Sequence, residues 1–423
     1  MKLETLKQAE SNLLLPTYDR HPMLVTHGKG VYLYDSEGNR YLDFLSGIGV
    51  NALGYAHPAI TKVIREQAAR LIHTSNLFYH PYQAELAKRL TKLAGMDRAF
   101  FSNSGTEAWE GALKLSRAYA NAKGKGKTRI LALENSFHGR TFGSMATTFT
   151  AKYRKPFLPV MPGVAFVKFN DVDDLRKKFD DTVCAIGFEP VQGEGGVNPV
   201  SIEFAKAARE LANKHDALLI FDEIQCGMGR TGKMFAFEHY GVKPDILTLA
   251  KPLAAGLPLG AIITTNKVSE VIHPGMHGTT FGGGPLACAA AVEFLNVIGR
   301  EKLIANARSV GAYFLDRLRK LDAQHGSIVD VRGVGLMVGV ELSSPDVAKE
   351  VVKQMLAHKI IINRTHETTL RFLPPYIVTR QHVDQVVEAL HQVLSSCASA
   401  ADAPAASQSP RRRAQKDSRR NQQ

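Results

Sequence analysis

The sequence predicts an α/β protein: a large domain on a mostly parallel sheet, followed by a smaller α+β domain. Short apolar runs bounded by turn residues recur at 98–101, 130–133, 164–169, 185–188, 218–221, 246–249 and 261–265. Amphipathic helical patterns lie between many of them, and strands alternating with helices imply a parallel sheet, because a parallel return needs a crossover. At 423 residues, with 44% hydrophobic and 22% charged side chains, the chain has the composition of a soluble protein and is too long for one ordinary core.

In chain order, residues 1–50 read as an N-terminal segment that packs with the small domain. Within it, 30–44 form a hairpin turning at Ser36-Glu37-Gly38-Asn39. Residues 51–300 make the large domain. Its helix over 85–93 puts Leu86, Leu90 and Leu93 on one face and stops at Gly95, and 202–212 repeats the pattern with Ala205, Ala208 and Leu211. After residue 300 a helical stretch leads into the glycine-rich apolar run 331–340, another helix, and 370–373. Residues 301–394 are therefore assigned to the small domain.

The formal charge of +13 is concentrated in part at 395–423, where Arg411, Arg412, Arg413, Lys416, Arg419 and Arg420 face only Asp402 and Asp417. That segment is rich in Ala, Ser, Pro and Gln and has too few large apolar side chains to offset ordering entropy, so it reads as a disordered basic tail rather than a nucleic-acid module. Cys184, Cys226, Cys288 and Cys397 show neither CxxC spacing nor histidines at metal-ligand spacing, so no metal site is expected. Met1-Lys2-Leu3-Glu4 lacks the apolar core of a signal peptide, and no run approaches the roughly 20 apolar residues that span a bilayer. A cytoplasmic protein is the expectation.

Lys251 stands just past the run 246–250, before a loop of Pro252, Gly256, Pro258 and Gly260, while the run 218–221 ends on Asp222-Glu223. Open α/β sheets bind ligands outside the carboxyl ends of their strands. A lysine and a carboxylate at neighbouring strand ends suit pyridoxal phosphate, with the amine as the Schiff-base group. Asn103-Ser104-Gly105-Thr106-Glu107 follows a strand and opens a helix, so its backbone N–H groups form an anion site. The same residues also make a capping box, the simpler reading of these five alone, and the two are compatible. Gly227-Met228-Gly229-Arg230-Thr231-Gly232-Lys233 matches a phosphate loop in its glycines only. Met234 stands where a hydroxyl would ligate magnesium, and the segment opens no clear helix, so this reading is rejected.

Taken together, these residues resemble the class III aminotransferases of the pyridoxal-phosphate fold type I group, over about residues 15–394. The motifs that carry the likeness are Phe101-Ser102-Asn103-Ser104-Gly105-Thr106-Glu107-Ala108, Phe137-His138-Gly139-Arg140-Thr141, Glu189-Pro190-Val191-Gln192-Gly193-Glu194-Gly195-Gly196, Phe221-Asp222-Glu223-Ile224-Gln225, Leu249-Ala250-Lys251-Pro252-Leu253 and His277-Gly278-Thr279-Thr280-Phe281. The resemblance implies that Lys251 binds the coenzyme covalently and later shuttles the substrate proton, while Asp222 keeps the pyridine nitrogen protonated. It also assigns Gly105 and Thr106 to the phosphate, Phe137 and Ile224 to the two ring faces, Gln225 to the phenolic oxygen and Glu223 to the cofactor site. Thr280 would reach the phosphate of a second subunit, which makes the protein a homodimer with shared sites.

For substrates, the resemblance gives Arg371 the α-carboxylate of glutamate or 2-oxoglutarate and gives Arg140 the distal carboxylate, since guanidinium forks bind carboxylates in bidentate fashion. Glu194 would pair with Arg371 in the first half-reaction and release it in the second. Tyr18 would lie near the substrate carboxylate, and Thr279 would contact substrate from the second subunit. The implied reaction is ping-pong transfer of the terminal amine of N2-acetylornithine to 2-oxoglutarate, within arginine biosynthesis. Alternatives are other ω-amine donors (ornithine, 4-aminobutyrate, succinylornithine, succinyl-diaminopimelate) or an aminomutase. Trp109, Gly284 and Tyr55 depart from the residues common in the family (Asn, Asn and His), which bears on fine specificity rather than on the cofactor.

Overall fold

The computed structural model describes residues 2–124 and 126–401. Its centre is a seven-stranded sheet in the order Arg98–Ser102, Gly260–Thr264, Ile246–Leu249, Leu218–Asp222, Val183–Phe188, Arg129–Leu133, Val164–Val167. All neighbours are parallel except Gly260–Thr264, which runs antiparallel to both of its own. Every residue of the four strands from Val183–Phe188 to Gly260–Thr264 is buried. Such strands are covered on both faces and read as unbroken apolar runs rather than alternating ones.

Side-chain alternation sends Leu218 and Ile220 to a core shared with helix Gly105–Ala122, and Leu219 and Phe221 to the larger core that includes Phe204, Ala205 and Ala208 of helix Ile202–Lys214. The helix expected over 85–93 spans Pro81–Ala94 and ends on Gly95 in the left-handed conformation at φ 61. Leu86 and Leu90 are buried, whereas Leu93 is 45% exposed and does not share their face.

The small domain holds an antiparallel sheet of Ile328–Val334, Met337–Leu342, Thr369–Phe372 and Asn363–Thr365. The run 331–340 is thus two strands, not one. It turns at Gly335, whose φ of 59 and close approach to Thr231, with room for a Cβ only 2.5 Å from the Thr231 carbonyl carbon, demand glycine. The N-terminal hairpin pairs Tyr32–Asp35 with Arg40–Asp43, and the latter runs parallel to Ile360–Ile361 of the small domain. Helix Arg380–Ala401 passes through residue 395, so the boundary placed there falls inside a helix. Residues 402–423, where the basic cluster lies, are outside the described residues. No helix among the described residues is long and apolar enough to cross a membrane.

The glycine-rich loop at 227–233 clasps the small domain. Arg230, fully buried, donates from Nη1 to the carbonyls of Leu336 (3.1 Å) and Pro374 (2.5 Å), and its guanidinium lies 4.6 Å from the Tyr376 ring centre.

Candidate active site

The carboxyl ends of the central strands open into a cavity of ≈ 450 Å³. Helix Gly105–Ala122 begins at its wall. Ser104 caps that helix, its hydroxyl accepting from the Glu107 N–H at 3.2 Å, and the Glu107 carboxylate accepts from the Asn103 N–H at 2.5 Å. Asn103, Ser104, Gly105 and Thr106 all line the cavity, so the cap leaves the helix N-terminus facing it. Gly105 is tightly required: a Cβ there would stand 2.8 Å from Ile224 Cγ2. The Thr106 hydroxyl is held by Thr141 (2.9 Å) and Ser144 (2.7 Å).

Lys251 follows strand Ile246–Leu249 and opens a short turn with φ 37, a left-handed conformation that costs a residue with a Cβ on the order of 1 kcal/mol or more. Burial lowers its pKa below the usual lysine value, with Glu194 pulling the other way and Arg371 adding to the drop. A buried amine favours the neutral, nucleophilic form. Asp222 ends the next strand, also in the wall. Its Oδ2 accepts from His138 Nδ1 at 2.6 Å, and its Oδ1 from the Ile224 N–H at 3.1 Å.

Arg371 is 1% exposed and donates from Nη1 to Glu194 at 2.5 Å, with Gln225 Oε1 at 3.4 Å and Asn363 accepting from Nε at 3.2 Å. Burial would raise the Glu194 pKa, but Arg371 overrides it and holds the carboxyl below its ordinary value. The pair joins the cavity through Gln225, which lines it. Arg140 lies in the wall with its guanidinium 3.9 Å from the Tyr153 ring centre and 5.6 Å from that of Phe137.

Of the residues singled out in the sequence, Gly105, Thr106, Phe137, Arg140, Asp222, Ile224, Gln225 and Lys251 therefore line one cavity, with Arg371 and Glu194 behind it. Glu223 does not join them. Its carboxylate is buried on the far side of the strand, accepting from the N–H groups of Ala236 (2.6 Å) and Phe237 (2.7 Å), which corrects its assignment to the cofactor site. Tyr18 is 79% exposed and outside the wall, as are Thr279 and Thr280 of this chain; Thr279 meets Asn103 through its hydroxyl at 3.2 Å.

Sequence reasoning gave no role to Glu189, His138 or Tyr153, although the first two sit inside quoted motifs. Glu189 lines the cavity, accepts from the Phe137 and Gly193 N–H groups at 2.9 Å each, and is pushed up to about 8 by burial and by Asp222.

The arrangement fits a coenzyme with a phosphate, a basic ring nitrogen and a carbonyl. The helix N-terminus with Gly105 would hold the first, Asp222 the second and Lys251 the third. A sheet of this topology with this site defines a pyridoxal-phosphate-dependent transferase of fold type I.

The chain belongs to the class-III aminotransferases, whose family model ("Aminotransferase class-III") matches residues 15–394. It is 46% identical over 398 residues to the acetylornithine aminotransferase of Methanocaldococcus jannaschii, covering 93% of this chain and 99% of that one. It is 45% identical over 387 residues to the protein of that name in Caldanaerobacter subterraneus, covering 91% and 98%. Among solved structures, ornithine aminotransferase from Toxoplasma gondii ME49 superposes with TM-score 0.91 at 33% identity (95% and 96% covered). Acetylornithine aminotransferase from Elizabethkingia anophelis gives 0.84 at 32% (94% and 100%).

Proposed function

We propose that this aminotransferase moves the terminal amine of N2-acetylornithine to 2-oxoglutarate, giving N-acetylglutamate 5-semialdehyde and glutamate in arginine biosynthesis, with pyridoxal 5'-phosphate as coenzyme. The observation that carries this reading is the pair of buried Arg371 and half-buried Glu194 beside Lys251. A fork neutralised by its own carboxylate accommodates a donor whose reacting end is uncharged beyond the amine, and frees itself for a dicarboxylate acceptor. The near full-length likeness to acetylornithine aminotransferases supports the donor.

When bound, the coenzyme supplies an aldehyde for amines to condense with and a ring that accepts the electron pair of an adjoining carbanion. The chain's own residues do the rest. Lys251 Nζ acts first as the nucleophile and, once displaced, as the base that lifts the proton from the amine-bearing carbon and delivers it to the former aldehyde carbon of the coenzyme. Asp222, aimed by His138, keeps a proton on the ring nitrogen. Gly105 and Thr106 would offer N–H groups to the phosphate, Phe137 and Ile224 would flank the ring, and Gln225 would stand by its phenolic oxygen, all of them lining the same cavity as Lys251.

Arg140 takes the α-carboxylate of the donor, which lies far from the reacting amine, and the distal carboxylate of the acceptor. Arg371 takes the acceptor's α-carboxylate. Thr280 and Thr279 act in the site of a second copy, making a cytoplasmic homodimer, and Tyr18 lies near the substrate carboxylate. The exposed Leu77, Phe78 and Phe281 beside this region favour such burial.

Half-reactions with a panel of amines test the reading. Acetylornithine is expected to convert the coenzyme fastest, with strict need for 2-oxoglutarate in the return, which excludes an aminomutase. Turnover of ornithine or 4-aminobutyrate without acetylornithine would replace the donor. Absence of a borohydride-trapped adduct at Lys251 in coenzyme-saturated protein would overturn the reading altogether.

A further inference from the structure

The only tryptophan of the chain, Trp109, sits fully buried on helix Gly105–Ala122, four residues past the helix's first residue at the cavity wall. Its ring lies face to face with the His138 imidazole, centroids 3.8 Å apart and planes 6° from parallel. Two contacts fix the indole itself. Its Nε1 donates to Thr147 Oγ1 at 2.8 Å, and its far edge fills the space left by Gly187, where a Cβ would come 2.6 Å from the indole Cη2.

His138, by contrast, has one polar side-chain contact, from Nδ1 to Asp222 Oδ2 at 2.6 Å, while its Nε2 is buried with no partner. Rotation about the last torsion of a histidine is soft and broad. One hydrogen bond does not fix that torsion against rotation, and a flat face packed parallel to the ring does. Asp222 accepts, so Nδ1 must carry the hydrogen, and any turn of the ring withdraws it.

We propose that Trp109 is a positioning residue for coenzyme binding: by stacking on His138 it locks the imidazole plane that aims the Asp222 carboxylate at the ring nitrogen. This rests on the pyridoxal-phosphate reading of the site. The group that departs from the family's residue type is thus not filler in the core but the link between Gly187 and His138 in a row, Gly187, Trp109, His138, Asp222, that would end on the coenzyme.

The test compares Trp109→Leu, which keeps bulk but loses the flat face, with Trp109→Phe, which keeps one. Affinity for pyridoxal phosphate is read by equilibrium dialysis of otherwise coenzyme-free protein. Leu is expected to weaken binding about 3- to 10-fold and Phe to restore most of it, the range set by the usual worth of an aromatic pair. In an Asp222→Asn background, Trp109→Leu should have no further effect, because the indole acts only through that carboxylate. An equal loss in both backgrounds, or no loss in either, overturns the proposal. If Trp109→Leu does not fold, Thr147→Val removes the hydroxyl that holds the indole Nε1, together with that hydroxyl's bonds to the Ser144 and Gly143 carbonyls, and nitrogen-15 histidine spectra of the coenzyme-free protein read the result: a second His138 ring environment supports the proposal, and an unchanged one overturns it. Failure of the unsubstituted protein to bind pyridoxal phosphate would instead sink the functional reading, and the two outcomes are separate.

Discussion

Glu194→Gln changes one charge and almost no shape, and it isolates what the Arg371–Glu194 pair does. Arg371 is 1% exposed and Glu194 31%, with a nitrogen–oxygen distance of 2.5 Å. Taking the charges as roughly 4 Å apart at an effective dielectric of about 20 gives an attraction of about 4 kcal/mol. The part-exposed carboxylate halves that to about 2 kcal/mol, since solvent screens such partners. The amide oxygen keeps a neutral hydrogen bond worth about 1 kcal/mol. What remains is about 1 kcal/mol, or roughly 5-fold, released to any incoming carboxylate that must displace residue 194.

The acceptor half-reaction should therefore saturate at about 5-fold lower 2-oxoglutarate. The donor half-reaction, which needs the fork neutralised, should lose about as much in kcat/KM. Stopped-flow absorbance of the bound coenzyme follows each half alone. Equal changes in both halves, or none, would refute the view that Glu194 switches between them.

Tyr153→Leu removes the ring under Arg140 and should raise KM for the donor about 3- to 10-fold with kcat unchanged, while Tyr153→Phe, which keeps the face, stays near the parent. Gly105→Ala forces a methyl 2.8 Å from Ile224 and should weaken pyridoxal phosphate binding on the order of 10-fold, read by dialysis; parent-like affinity would show that the cradle yields. Glu189 and Glu223 are each raised from 4.5 to about 8. Between those values the folded chain keeps protons that the unfolded chain has lost, so stability falls as pH rises through that window and levels off above it. Melting of the coenzyme-free protein from pH 5 to 9 checks this. Glu189→Gln should flatten part of the slope, and an unaltered slope would remove Glu189 from the account.

The central sheet was legible because its strands are buried on both faces and so spell continuous apolar runs. Val25–Lys29 was not, since no residue of that strand is buried and it leaves no apolar period to read. Helix Leu3–Leu13, with no buried residue, was invisible for the same reason. Lys251 and Asp222 could be read as strand-end residues, and the period of two along a strand already contained the correction for Glu223. If Asp222 faces the ligand, its successor points to the other side. The partner of Asp222 escaped because His138 is 84 positions away from it, and no local pattern encodes such a meeting. Glu189 was in plain view, but only its burial against Asp222 gives it a distinctive titration.

The clasp made by Arg230 has a consequence for traffic through the site. Rocking the small domain away would drag a bare guanidinium off the Leu336 and Pro374 carbonyls inside a dry seam, with no carboxylate to follow it. The two lobes are riveted rather than hinged at that point. Parting the lobes there to admit a molecule would cost both of those buried hydrogen bonds, whereas a side chain turning at the mouth would cost neither.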